Sequence, residues 1–93
     1  MATFFMFGKY TAKAIKEISI DRTQQAIAEI KKMGGEIIAM HALLGEYDLL
    51  FCVSLPGVKD AIKASVALQK LTGITFSSCP AVTVEAFDQL MTK

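Results

Sequence analysis

Two strongly apolar stretches, EIIAMHALL (residues 36–44) and YDLLFCVSL (47–55), are separated only by Gly45 and Glu46. A link that short joins antiparallel neighbours, because a parallel return needs a crossover of about a dozen residues or more. Glycine in the first link position fits a type II′ hairpin turn, where φ must be positive. The pair therefore predicts a β-hairpin in which Leu44 faces Tyr47, Ala42 faces Leu49 and Met40 faces Phe51. Side chains alternate between the two faces of a strand. One face then carries Ile38, Met40, Ala42, Leu44, Tyr47, Leu49, Phe51 and Val53. It is apolar apart from one hydroxyl and requires a cover of helices. The other carries Ile37, Ala39, His41, Leu43, Asp48, Leu50, Cys52 and Ser54, and is mixed but half aliphatic.

The flanking segments complete a topology. TFFMFGKY (3–10) is rich in aromatic residues and reads as a strand. Residues 11–33 form one helical segment broken near Ser19. Ile15 and Ile18 stand at helical spacing in its first part, and Ile27, Ile30 and Met33 make the apolar stripe of its second. Ser19 or Asp21 can cap that second part, and Gly34-Gly35 ends it, since glycine tolerates a left-handed turn. PGVKDAIKASVALQKLTG reads as another helix, with Pro56 near its start and Gly73 at its end. ITFSSC (74–79) is a strand, and Pro80, which has no N–H for a ladder, places it at an edge or a bulge. AVTVEAF can extend that strand, and DQLMTK reads as a short terminal helix or a tail. The order is β-α-β-β-α-β, the ferredoxin-like pattern of the α+β class. Right-handed crossovers put the first and third strands in the middle of a four-stranded antiparallel sheet.

At 93 residues the chain is expected to be one domain. A domain this small buries about two-thirds of its unfolded surface. Yet 53% of the residues are hydrophobic, more than one such domain can hide. The surplus goes to a membrane or to another subunit. No run approaches the roughly 18 apolar residues of a bilayer span. The start, MATFFMFGKY, lacks the basic region and cleavage site of a signal peptide. Net charge is +1 and Arg22 is the lone arginine, so there is no basic stripe for a phosphate backbone. Nucleic acid and membrane are therefore not expected partners, whereas a second copy of the chain is. Face-to-face packing of the mixed faces about a two-fold axis would cover Ile37, Leu43 and Leu50. The cytoplasm is the expected location, with Cys52 and Cys79 reduced. Their strands are separated by the first strand, roughly 9.6 Å for two spacings, beyond the ~7 Å α-carbon limit of a disulfide.

GEYD (45–48) at the hairpin, after FGKYT (7–11) and before a proline-started, alanine-rich helix, resembles the GYD domain family. The Gly-Tyr-Asp signature of that family is matched by Gly45, Tyr47 and Asp48, and PAVTVEAFDQL (80–90) is similar to it as well. The resemblance covers nearly the whole chain. It implies membership of the dimeric α/β-barrel group, with its ferredoxin-like fold and face-to-face dimer, and implies no activity. The wider group includes antibiotic-synthesis monooxygenases, stress-response barrel proteins and haem-binding relatives, but a shared fold does not carry function across.

Candidate site residues follow from the same register. In Gly45, Glu46, Tyr47 and Asp48, a carboxylate and a phenol at a cleft mouth could bind a polar ligand or move a proton. The plainer alternative is a turn glycine, with Asp48 hydrogen-bonding local amides as aspartate does near turns. Alternation sends Tyr47 into the helix-covered core and Asp48 to the partner face, beside His41. His41, the single histidine, has Leu50 opposite and Cys52 diagonal to it at roughly 7–8 Å. The pair could activate the thiol or supply two metal ligands, against the plainer alternative of a partly exposed histidine beside a small buried thiol. No metal is expected. Lys9 and Tyr10 could hold an anionic group at the following helix start. Otherwise the lysine is solvated and the phenol caps the core. Met6, Met33, Met40 and Met91, with Phe4, Phe5, Phe7, Phe51 and Phe76, could line a pocket for an apolar ligand or haem, but such residues mostly fill cores. There is no Cys-x-x-Cys-His signature, Gly-rich phosphate loop or serine nucleophile motif, and no cofactor is expected.

These features predict a small, cytoplasmic, dimeric or higher-order binding or accessory protein. Its inter-sheet cavity would hold a small ligand, or its terminal segment would dock on a partner. The rival reading is a cofactor-independent enzyme of the monooxygenase or isomerase kind, acting on an apolar or aromatic substrate with Asp48 or His41 as base. A third is a trimer-building regulatory protein of the same fold.

Overall fold

Alternation in the first strand, β1 (Ala2–Lys9), divides the sheet into two unlike faces. Phe4, Met6 and Gly8 are buried, while Phe5 and Phe7 between them stay half-covered. The computed structural model describes residues 1–92. After β1 come α1 (Ala12–Lys16), α2 (Ile20–Lys32), β2 (Glu36–Ala42), β3 (Leu49–Leu55), α3 (Val58–Thr72), β4 (Thr75–Ala81) and α4 (Val84–Met91). The strands form one antiparallel sheet in the order β2-β3-β1-β4, with the first and third strands central as the crossover rule requires.

The core lies between one sheet face and helices α2 and α3. Phe4, Met6, Phe51, Val53 and Leu55 come from the two central strands, and Ala26, Ile30 and Leu68 from the helices. Ala26, Ala61 and Ala64 are buried, and such small side chains let helices lie close to their neighbours. The stripe of α2 thus centres on Ala26 and Ile30, with Ile27 only half-buried.

Local chemistry sets the helix ends. The hydroxyls of Thr11, Ser19 and Thr83 accept from the main-chain N–H of Ala14, Arg22 and Ala86 respectively, at 3.0–3.1 Å. Ser19, not Asp21, is the cap of α2. Gly73, at φ +77°, ends α3 in the left-handed conformation that glycine favours.

The hairpin keeps the expected pairing of Met40 with Phe51 and Ala42 with Leu49, and departs from expectation in two places. Register shifts between Ile37 and Ala39, so Ile37 pairs with Val53. The extra residue reverses the alternation. Ile37 therefore packs on the core, and Ile38 is left 59% exposed, the opposite of the sequence expectation. The ladder also stops at Ala42 and Leu49. Residues 43–48 form a loop closed by the Leu43 N–H donating to the Asp48 carbonyl at 2.8 Å. Gly45 has φ +154°, far from the roughly +60° of a type II′ turn, so the two-residue turn is not formed.

The C-terminal segment also differs. β4 runs through Pro80, which pairs opposite Phe4, and ends at Ala81. An edge strand tolerates the missing N–H. The following VEAF, read from sequence as a strand extension, is the first half of α4, because Thr83 caps a helix there. Lys93 lies outside the described residues. No residue of α4 is buried, and Val84, Phe87, Leu90 and Met91 are exposed, so Met91 is no core filler. The radius of gyration is 14.0 Å. A compact chain of this length is expected at about 12 Å, which fits a terminal helix standing off the body. Among the described residues no helix is long and apolar enough to cross a membrane.

Candidate functional site

The loop 43–48 is clipped onto the end of β1. Its Tyr47 ring packs against Phe7, with centroids 5.2 Å apart and planes at 41°. The Asp48 N–H donates to the Gly8 carbonyl at 2.9 Å. The Asp48 carboxylate accepts from the Tyr10 N–H at 2.8 Å, and Lys9 Nζ donates to the Glu46 carbonyl at 3.0 Å. The β1–β3 pairing ends at Gly8 opposite Leu49, and beyond it the carboxylate supplies an acceptor that the ladder no longer provides. A hydrogen bond to an ionised acceptor is among the stronger ones a main-chain N–H can make. FGKYT and GEYD are therefore two halves of one structural unit. Thr11 extends it, donating to the Gly73 carbonyl at 3.1 Å.

This geometry reverses the expected placement of Tyr47 and Asp48. Tyr47 lies against Phe7, whose strand partners Leu50 and Ser77 belong to the open face, not to the helix-covered core. Asp48 does not join His41 on the open face, because its carboxylate is committed to the Tyr10 N–H. Both residues lie beyond the end of the ladder, where alternation no longer governs side-chain direction. Lys9 meets a carbonyl rather than an anion. Tyr10 carries a cation on its ring, with the Arg22 guanidinium 5.6 Å from the centroid.

His41 is exposed and pairs opposite Leu50. Cys52 is half-buried, with Ala39 and Phe5 as its cross-strand neighbours. Cys79 lies on the other side of Phe5, and both thiols are free, as the strand order requires. Among the described residues no three His, Cys, Asp or Glu side chains are grouped to hold a metal ion. The open face has Phe5, Phe7, Leu50 and Cys52 at its centre, with Thr3, Ser54, Ser77 and Thr75 in the neighbouring positions.

A cavity of about 160 Å³ lies on the helix side of the sheet. Its apolar wall includes Ala26, Met40, Leu49, Phe51, Ile74 and Phe76, and its polar residues are Tyr10, Arg22, Thr23, His41 and Thr72. The Thr72 hydroxyl is occupied, donating to the Leu68 carbonyl at 2.7 Å and accepting from the Ile74 N–H at 3.1 Å. Of the sequence candidates, Tyr10 and His41 line this cavity, while Lys9, Asp48 and Cys52 do not. Arg22 was not among them. Its signal was its position, as the single arginine in the first turn of a helix that begins after Ser19.

The sequence matches the GYD domain over residues 4–91. No curated protein matches the chain in sequence. In structure it is similar to the leucine response regulatory protein of Mycobacterium tuberculosis, with a TM-score of 0.59 at 10% identity. That match covers 88% of this chain and 51% of the other, so the chain spans about half the length of that protein. It is also similar to a hypothetical protein from Pyrococcus horikoshii, with a TM-score of 0.56, 21% identity, and 89% and 92% of the two chains covered. At these identities the likeness is one of fold. The family match spans both halves of the clip, FGKYT and GEYD, and this chain belongs to the GYD domain family.

Proposed function

We propose that this chain is a self-associating binding or accessory protein, two copies of which meet through their open sheet faces. The observation that carries the reading is the face itself. Phe5, Phe7, Leu50 and Tyr47 lie half-exposed on it with no helix above them, and polar side chains surround them. An apolar centre within a polar rim is the anatomy of an interface. Four strands of this length offer a face of roughly 19 by 23 Å, or about 440 Å² in projection. A stable interface buries about 800 Å² per partner, so the sheet alone is small. Helix α4 supplies more, since its stripe of Val84, Phe87, Leu90 and Met91 is exposed and the helix follows the edge strand directly.

Sedimentation equilibrium at micromolar concentration tests this. The expected mass is twice that of the chain, and a monomer would remove the reading. Leu50→Lys puts an unpaired charge at the centre of the face and is expected to weaken the dimer roughly tenfold or more. Ending the chain after Ala81 is expected to weaken the dimer while shifting the thermal midpoint of the body by only a few degrees, because α4 buries no residue. A fall as large as that of a core variant would instead give α4 an intrachain role.

A further inference from the structure

We propose that the cavity between α2 and the sheet is a binding site for a small apolar carboxylate, held by the Arg22 guanidinium with its tail among Leu49, Phe51 and Phe76. The volume comes first. About 160 Å³ is available, close to the ~150 Å³ engineered cavity that accommodates benzene. The tail is therefore a single ring or a branched chain of similar size.

Charge selects the head group. Among the described residues that line it, Arg22 brings a permanent positive charge, and no carboxylate is among them. An anion finds attraction there and an ammonium finds none. Arg22 itself breaks a local rule. It stands in the first turn of α2, three residues after the Ser19 cap, where a positive charge opposes the helix dipole. Its partners are the Ala14 carbonyl and the Tyr10 ring, both neutral. A guanidinium has five N–H donors, and one carbonyl and one ring leave several of them to spare. The positive end of α2 adds to the same field. A half-buried cation whose contacts among the described residues are a carbonyl and a ring is the kind of local inconsistency expected at functional sites.

The clip gives the arrangement its rigidity. Asp48 holds the main chain of Tyr10, and the Tyr10 ring carries Arg22. The Gly-Tyr-Asp loop is in this way a positioning device for the cation. The cavity lies on the helix side of the sheet, so the proposal is independent of self-association through the open face.

The test is an NMR titration of the full ¹⁵N-labelled chain with benzoate, benzylamine and benzyl alcohol. Benzoate is expected to give saturable shifts at the amides of Ala42, Phe51 and Ile74, with a dissociation constant on the order of a millimolar or tighter. Benzylamine is expected to bind roughly tenfold or more weaker, and Arg22→Gln to cost benzoate a similar factor. Ala26→Leu, which fills the cavity, is expected to abolish binding of all three probes. Absence of saturable shifts with benzoate, equal binding of benzylamine, or unchanged benzoate binding in Arg22→Gln each overturns the proposal. The comparison of benzoate with benzylamine on the native chain decides the charge question even if the variant fails to fold.

Discussion

Gly35→Ala is expected to lower the thermal midpoint by on the order of 10–20 °C. A β-carbon at this position would stand 2.4 Å from Leu55 Cδ2 and 2.7 Å from the Ser54 main-chain oxygen. Neither neighbour can give way cheaply. Leu55 is fully buried, and Ser54 is paired on both sides, to Thr3 and to Glu36. Forcing extra atoms into a packed site costs about 1–3 kcal/mol, and a main-chain contact puts this one toward the upper end. In a domain of this size each kcal/mol moves the midpoint by roughly 4–8 °C. The comparison is Gly45→Ala, in the signature loop. Nothing lies within 4 Å of a β-carbon there, and the only cost is φ at +154°. A loss of about 1 kcal/mol is expected. Thermal melts of the two variants check the ordering. A Gly35→Ala protein melting within a few degrees of the native chain would mean that β3 yields where its pairing says it is held.

Asp48→Ala is the second large effect, and the contrast with Asp48→Asn gives it meaning. Alanine leaves the Tyr10 N–H without an acceptor at a half-buried site. Hydrogen bonds to charged groups contribute about 1.5–3 kcal/mol, and a loss of that size is expected. Asparagine keeps an oxygen in the same place and is expected to cost about 1 kcal/mol or less. Urea unfolding measures both. Hydrogen exchange supplies the local readout, with the Tyr10 amide expected to exchange much faster in the alanine variant than in the asparagine one. If both variants retain native stability and native exchange at Tyr10, the loop is not the clip described above. Asp48→Ala should also weaken benzoate binding, since it frees the residue on which Arg22 rests.

Much of the fold was legible in residue order. The pairing of Ala42 with Leu49 and Met40 with Phe51 followed from a short link between two alternating stretches, because period and link length are local properties. The stop at Gly34 and a cap at Ser19 or Asp21 were legible for the same reason, and the fold chose Ser19. The bulge at Ile38 was not, because one extra residue in a strand leaves no compositional mark. The start of α4 was misplaced, because Val82 and Val84 favour strands while the hydroxyl of Thr83 caps a helix.

The sequence by itself determined the order of elements, the antiparallel hairpin, the central strands and the exclusion of a bridge between Cys52 and Cys79. Each depends on spacing along the chain or on the few topologies that right-handed crossovers allow. Tertiary structure alone decided where Tyr47 and Asp48 go and what Arg22 does. Alternation is a property of a paired strand and ends with the ladder. Past Leu49 the direction of the Asp48 carboxylate was set by an N–H at Tyr10, 38 residues away along the chain. The place of Arg22 was set in the same way, by an aromatic ring that only the folded β1–α1 junction brings beneath it.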